Sequence, residues 1–479
     1  VTVTDARGSL SGDTADRASA LQALHDALGD RVTADPAVLD ALRTDKSGWW
    51  SDGGALAFVD AGSVADVQAV LRIASEHRVP VVPRGAGTGL AGGATASPGA
   101  IVLGVAGMDR ILEVSLEDEL AVVQPGVINK ALGDALAPHG YAFSPDPASK
   151  AISTIGGNIA TNAGGLMCAK YGVTREAVLG LDVVLPDGSL LSTGRRTVKG
   201  VTGYDLTALF TGSEGTLGVI VGATVRIRPV PPGPVVTIAA FFADVTAAAA
   251  ACAAITAARL RPAVMELMDA TAVAAVTTYL GLPPRATGAA FVLVQTDGAG
   301  AADEGDAIAQ VLGAAGASSV ELSDDEATGE ELLAFRRSVH PSLESLGEVL
   351  IEDVCVPRSA LPAMFAEIER ISAAYGIPIP TVAHAGDGNL HPNFVVPPAL
   401  VESPGGEVVG GAPEIVWRAA DELFETARRL GGTLTGEHGV GVLKKRWLEG
   451  ELGTDGLELQ RRLKAVFDPL GIMNPGKVY

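Results

Sequence analysis

The order of apolar and polar positions divides the chain before any chemistry is considered. LAFVDAGSVADVQAVLRIASEHRVPVVPRG, from Leu56, reads as strand, helix, strand. Val64, Val67, Leu71 and Ala74 recur at helical spacing, Ser63 stands where a cap belongs, and Pro80 follows the end. IVLGV from Ile101 and LAVVQPGV from Leu120 predict short strands, and residues 128–139 a helix stopped at Gly140. LDVVLPDGSLLS, from Leu181, predicts a hairpin about Pro-Asp-Gly, and GVIVGATVRIRPV, from Gly218, another strand. PVPPGP at 229–234 breaks the pattern and marks a domain boundary. VVTIAAFFADVTAAAAACAAITAARL, from Val235, predicts a strand and then a helix. Its Asp244 and its many weakly hydrophobic alanines argue against a membrane span, which needs roughly 20 strongly apolar residues. Strand and helix alternate to residue 400, SPGGEVVGGAP at 403–413 reads as a surface loop, and 414–430 and 442–466 read as helical. The expected organisation is a polar helical leader (1–52), two α+β regions (53–230 and 231–413) and a helical segment (414–479), with no internal repeat.

A chain of 479 residues exceeds one ordinary core, which agrees with that division. Hydrophobic residues make up 47% and aromatics only 4%, with 59 glycines, so the core must rest on Ala, Val, Leu and Ile joined by tight turns. A net charge of −21 disfavours nucleic acid and electrostatic attachment to an anionic membrane. Cys168, Cys252 and Cys355 are too few and too scattered for an iron–sulfur cluster. They fit a reducing, cytoplasmic compartment, with peripheral attachment at the inner membrane face left open. The first residues, VTVTDARGSLSGDTADRA, lack the apolar stretch of a secretory signal.

The first chemical signal is PVVPRGAGTGLAGGATA, from Pro80, where a buried strand runs into five glycines between Gly85 and Gly93. Such a loop can converge its N–H groups on an anion, a pyrophosphate above all, or it can be a flexible surface loop. Gly87, Gly89 and Gly92 satisfy GxGxxG with Asp109 about 20 residues on. No periodic helix follows, however, so a Rossmann site is rejected. SPDPASKAISTIGGNIATNAGGLMCAKYG, from Ser144, is rich in small and amide side chains and suits a backbone lying flat against a planar ligand. TGSEGTLGVI, from Thr211, repeats the style.

The second signal is HAGDGNLHPN, from His384, in a chain with 7 histidines. With Asp387 and Gly388 at the tip of a two-residue hairpin, His384 and His391 would be directly opposed, Cβ atoms ~5 Å apart, with Asn393 on the same face. Two imidazoles so placed suit a transition metal or a plain cross-strand stack. TGEHGVG, from Thr435, offers Glu437 and His438 as further ligands, or as a cap. AFRRSVHPSLE, from Ala334, reads as a helix with Arg336 and His340 one turn apart.

The glycine-rich loop, IGGNIATNAGG and GSEGTLGVI, in this order, resemble the vanillyl-alcohol-oxidase or PCMH-type FAD domain, which has two subdomains. HxGDGNLHPN, GEHGVG and the terminal FDP…NPGK resemble the C-terminal domain of FAD-linked 2-hydroxyacid oxidases and dehydrogenases, the D-lactate dehydrogenase and glycolate oxidase flavin-subunit type. Together they cover nearly the whole chain from about residue 53. The resemblance implies an α+β fold with a smaller, ferredoxin-like α+β cap domain beside the FAD domain. It implies pyrophosphate contacts at Pro83, Arg84, Gly85, Ala86, Gly87, Thr88, Gly89 and Gly92. Around the flavin it implies Pro145, Asp146, Ser149, Thr154, Gly156, Gly157, Asn158, Ala160, Asn162, Gly164 and Gly165. Backbone contacts fall at Gly218 and Ile220, and Glu437, His438 and Asn474 complete the cofactor set. No His or Cys lies between Val79 and Ala96 to bind flavin covalently, so FAD is expected to be non-covalent.

The matching residues His384, His391 and Glu437 would hold a divalent metal (zinc, manganese or iron), His438 would be the base, and Asn393, Arg336 and Lys444 substrate contacts. The implied reaction oxidises a D-2-hydroxy acid to the 2-oxo acid, the electrons passing on to a quinone, a cytochrome, an electron-transfer flavoprotein or oxygen. Relatives acting on 2-hydroxyglutarate carry a lysine where VLIEDVCVP, from Val349, has Ile351, which favours a monocarboxylic substrate over that alternative. A flavin-free metal-dependent hydrolase is the alternative of another class, and the oligomeric state is open, a homodimer included.

Overall fold

The computed structural model describes residues 14–283, 290–396, 408–409 and 412–479. The first half carries two sheets. Ala57–Asp60, Ile101–Gly104 and Val81–Arg84 form a parallel core of three strands, and Val32–Thr33 adds an antiparallel edge. The expected leader is thus partly built into the first sheet; its residues 1–13 lie outside the described residues. The helix Val64–His77 packs Val67, Val70, Leu71 and Ala74 inward, and Ser63 caps it by accepting from Asp66 N–H at 3.2 Å. Its expected start and face both come from the sequence spacing. A five-stranded antiparallel sheet follows, in the order Ile111–Ser115, Leu120–Val123, Val219–Arg226, Val178–Val184 and Leu190–Gly194.

Beyond Pro234 lies an eight-stranded antiparallel sheet. Its first four strands, Ser319–Ser323, Val235–Phe242, Ala290–Asp297 and Val264–Met268, lie in the spatial order 4-1-3-2 of a ferredoxin-like unit. The sheet is larger than that expected unit. Thr381–His384, Asn389–Val396 and Glu348–Ile351 extend it, and Val354–Cys355 pairs beside Asn389–Val396. The reason is burial: all eight residues of Asn389–Val396 are buried, so the strand needs neighbours on both edges and cover on both faces. The helices Val245–Ala257, Leu361–Tyr375 and Glu414–Arg429 cover one face with Cys252, Ile255, Phe365, Ile368, Leu423 and Phe424. A smaller cluster about Phe291, Phe335 and Val382 covers the other.

Two expectations are corrected here. The stretch 403–413 is not simply a loop: Val408–Val409 pairs with Ala412–Pro413, and Ala412 and Pro413 are buried; its other residues lie outside those described. The helix expected across Arg336 and His340 is broken at Ser338 into Glu326–Arg337 and Val339–Glu344. His340 turns to Glu344, with Nε2 3.1 Å from Oε1. No helix among the described residues is long and apolar enough to cross a membrane.

Candidate active site

The chain between Arg84 and Ile101 contains no helix, only turns, in keeping with the rejection of a Rossmann site. Gly87 takes φ +69°, and a Cβ there would collide with the Arg84 guanidinium. That guanidinium is drawn inward: Arg84 Nη1 donates to Thr44 O at 3.1 Å and Ala94 O at 2.7 Å, so it closes the loop on itself. The second glycine segment meets the first at Gly85, whose Cβ would fall against Thr154 Oγ1. It is not the flat backbone expected. Ile155–Thr161 is a short helix, capped by Thr154 Oγ1 accepting from Gly157 N–H at 3.2 Å and ended by Asn162 at φ 53°. A Cβ on Gly156 would collide with Pro125. The third segment docks on this helix, Gly212 N–H donating to Ile159 O at 2.9 Å and Glu214 N–H to Ala160 O at 2.8 Å. The C-terminus closes the group: Asn474 Nδ2 donates to Gly93 O at 3.0 Å and Glu214 O at 2.8 Å.

Two buried amide atoms in this cluster, Asn158 Nδ2 and Asn474 Oδ1, have no partner among the described residues. A donor and an acceptor left open among glycine turns fit a polar, planar cofactor such as FAD.

The histidines come from adjacent antiparallel strands, with a four-residue turn rather than two. His384 pairs with Asn389 and Val382 with His391, so the histidines are diagonal, not directly opposed. A register shift of two keeps both on one face. Their ring centres are 5.0 Å apart. His384 Nε2 and His391 Nε2 lie 3.5 Å and 3.1 Å from Glu437 Oε1. Donors each ~2.1 Å from one ion at a tetrahedral angle are separated by roughly 3.4 Å, so the three residues fit a divalent metal. His438 stacks on His391 at 5.0 Å with an interplanar angle of 12°.

Behind this cluster stand carboxylates that the sequence did not single out. Glu266, 1% exposed, is the cross-strand partner of His384, and its Oε1 lies 2.7 Å from His384 Nδ1. Arg336 sits on its other oxygen, with Nε at 2.8 Å and Nη2 at 2.7 Å. Asp353, fully buried, accepts from Asn389 Nδ2 at 2.7 Å and from the backbone N–H groups of residues 436–438. Lys444 is 2% exposed and donates to the carbonyls of Asp353 (2.7 Å) and Leu434 (3.0 Å). It is therefore spent on fixing backbone rather than reaching an open site. Asn393 is likewise buried, with Nδ2 donating to Pro380 O and His391 O. The signal that could have found Glu266 is an acid inside an otherwise apolar strand, VMELM, which demands a buried partner; Asp353 stands outside the short strand Val354–Cys355 and carries no such signal.

Burial opposes charge on His384, but Glu266 and Glu437 outweigh it and hold its pKa well above the ordinary imidazole value. Burial likewise opposes charge on Glu437, yet His384 and His391 hold it well below the carboxylate range. Burial pushes His438 down to about 4, so its ring is neutral and able to accept a proton. The His384–His391–Glu437 cluster and the glycine segments adjoin: a Cβ on Gly164 would collide with Glu437 Oε2, and one on Gly386 would touch Ala169 Cβ at 2.7 Å.

Residues 55–194 match an FAD binding domain, and residues 232–478 the C-terminal domain of FAD linked oxidases. The chain is 42% identical to glycolate oxidase subunit GlcD of Bacillus subtilis, over 86% of this chain and 87% of that protein. It is 36% identical to D-lactate dehydrogenase of Archaeoglobus fulgidus, over 86% and 89%. Among solved structures, p-cresol methylhydroxylase with substrate bound superposes with a TM-score of 0.78 at 18% identity, covering 98% of both chains. The 4-ethylphenol oxidase from Gulosibacter chungangensis does so with 0.76 at 20%, again over 98% of both. These two likenesses speak to the fold alone. From the two matched domains and these relatives, the chain belongs to the FAD-linked oxidase family and is an FAD-linked oxidoreductase.

Proposed function

We propose that this chain oxidises a D-2-hydroxy acid, D-lactate-like or glycolate-like, to its 2-oxo acid, using FAD and one divalent metal. The observation that carries it is the contact of Gly164, in the second glycine segment, with Glu437, which draws the metal-type donor set up against the flavin-type cradle. When bound, FAD supplies the hydride acceptor and the ion supplies Lewis-acid polarisation of the substrate hydroxyl.

The chain's own residues divide the remaining work. His384, His391 and Glu437 would hold the ion, and Glu266, by accepting a hydrogen bond from His384 Nδ1–H, leaves the Nε2 lone pair free for it. The neutral His438 ring takes the hydroxyl proton at Nε2, the nitrogen that lies 3.9 Å from Glu437 Oε1. Arg336 keeps its side chain 11% exposed, and its Nη1 makes no bond among the described residues. That nitrogen is the donor offered to the substrate carboxylate. Ile351, cross-strand partner of Asn393, stands where the resemblance to 2-hydroxyglutarate-acting relatives would call for a lysine, which supports monocarboxylic substrates.

The related proteins named glycolate oxidase subunit and D-lactate dehydrogenase support this substrate class. The test is anaerobic mixing of the purified flavoprotein with a panel of D- and L-2-hydroxy acids. Fast bleaching by short D- or achiral 2-hydroxy acids is expected, and bleaching by none of the panel would refute the proposal. A colourless protein without extractable FAD would favour the metal-dependent hydrolase instead.

A further inference from the structure

Residues 435–441 carry Glu437 and His438 but form neither helix nor strand, so their position must be imposed from outside. Two carboxylates impose it, Asp353 fully buried and Glu214 partly so. Asp353 Oδ2 accepts from Thr435 Oγ1 at 2.6 Å and from the consecutive N–H groups of Gly436, Glu437 and His438 at 2.9, 3.1 and 3.0 Å. Donors so converged make a nest for one negative charge. Burial opposes that charge, but Lys444, His438 and His391 hold Asp353 well below the carboxylate range. Glu214 takes the other end, Oε1 accepting from Val440 N–H at 2.8 Å and Oε2 from Gly441 N–H at 2.9 Å.

The two acids come from different halves of the chain. Asp353 adjoins the eight-stranded sheet, whereas Glu214 lies in the third glycine segment, at φ 51°. The Glu214 backbone is itself tied to Ala160 O and to Asn474 Nδ2, both among the residues expected around FAD. Its side chain therefore bridges the cofactor cradle to the loop that presents a metal ligand and the base. Neither acid belongs to the His384, His391 and Glu437 set, although Asp353 also groups with His391 and His438.

We infer that Asp353 and Glu214 are positioning residues that hold residues 435–441 from opposite ends, and that Glu214 links FAD occupancy to metal affinity. This rests on the FAD-and-metal reading above. Linkage makes the effect reciprocal: if bound FAD steadies Glu437 through Glu214, bound metal must tighten FAD by the same factor.

The test uses the full chain and Mn²⁺ as probe. FAD dissociation is measured with and without saturating Mn²⁺, and Mn²⁺ affinity is titrated on the FAD-loaded protein. Wild type is compared with Glu214→Gln, Asp353→Asn and, as control, Asp269→Asn, a buried acid that caps the helix Ala270–Tyr279 instead of this loop. In wild type, Mn²⁺ should slow FAD loss several-fold. Glu214→Gln should abolish that enhancement and weaken Mn²⁺ about tenfold, and Asp353→Asn should weaken Mn²⁺ about 10–100-fold, as loss of an outer ligand support does. The control should change neither. Should Glu214→Gln fail to fold, Glu214→Asp keeps the charge but shortens its reach, and must lose the enhancement too. Unchanged coupling and affinity in the Glu214 variants, or equal losses in the control, would overturn the inference while leaving the proposed function intact. A wild-type protein that binds no Mn²⁺ would overturn both.

Discussion

Glu266 and His384 are directly opposed across two antiparallel strands, with Oε1 2.7 Å from Nδ1. A carboxylate on one imidazole nitrogen fixes the tautomer and leaves the other nitrogen's lone pair for a metal. Glu266→Gln should therefore weaken divalent metal binding about 10–100-fold while FAD content stays the same. Calorimetric titration of the FAD-loaded variant checks this, and wild-type affinity would contradict it.

Removing a ligand outright is a stronger intervention. His384→Ala should purify yellow but without stoichiometric metal, and its flavin should be reduced far more slowly by a 2-hydroxy acid. Metal analysis beside stopped-flow absorbance separates the two effects. A normal rate in the metal-free variant would remove the ion from the chemistry.

His438 is argued to move a proton, not to hold the ion. His438→Asn should keep FAD and metal yet slow flavin reduction by about 10²–10⁴-fold, the usual worth of a general base. Single-turnover reduction measures it, and an unchanged rate would assign the proton to another group.

The contact of Gly164 with Glu437 gives a steric prediction. Gly164→Ala places a methyl against Glu437 Oε2 and should expel the metal ligand from its position. Gly133→Ala, in the helix Asn129–Leu136 with open space around it, should instead be neutral or stabilise by about 0.4–1 kcal/mol. Metal content and thermal melting of the two variants test the contrast; loss of metal in both, or in neither, would deny it.

Asp269 supplies a pH dependence away from the site. Burial pushes its carboxyl up to about 7, against an ordinary value of 3.8. A folded-state value above the unfolded one means the native chain binds more protons in between, so this group's contribution to stability grows as pH falls from about 8 toward 4. Asp269→Asn should reduce the gain in melting temperature between pH 8 and pH 6, roughly the range over which the buried acid titrates. Parallel pH profiles for variant and wild type would contradict the assignment.

The sequence made the local elements readable where one physical cause dominates. Ser63 with Val67, Leu71 and Ala74 specifies a capped amphipathic helix without tertiary help. The shared face of His384 and His391 follows for any turn with an even number of residues, two or four alike. Their register is not fixed in this way, because Gly386 and Gly388 allow a four-residue turn as readily as the two-residue one that Asp-Gly suggests. The Thr154 cap was equally local, yet the glycines after it hid a helix that its packing on Pro125 and the 212–214 turn sustains. Glu266, Asp353 and Glu214 were missed because a carboxylate's role depends on partners 118, 85 and 227 positions away in sequence. Lys444 was over-read for the same reason: its cation answers to buried carbonyls that no local pattern announces.

The claim underlying all of this is that flavin and a metal held by His384, His391 and Glu437 act on one substrate in one cavity. It is tested most directly by stripping the metal from the FAD-loaded protein, mixing it anaerobically with D-lactate or glycolate, and then adding back Mn²⁺ or Zn²⁺. The account predicts a flavin that stays oxidised when stripped and bleaches promptly once metal returns. Equal bleaching with and without metal would contradict it.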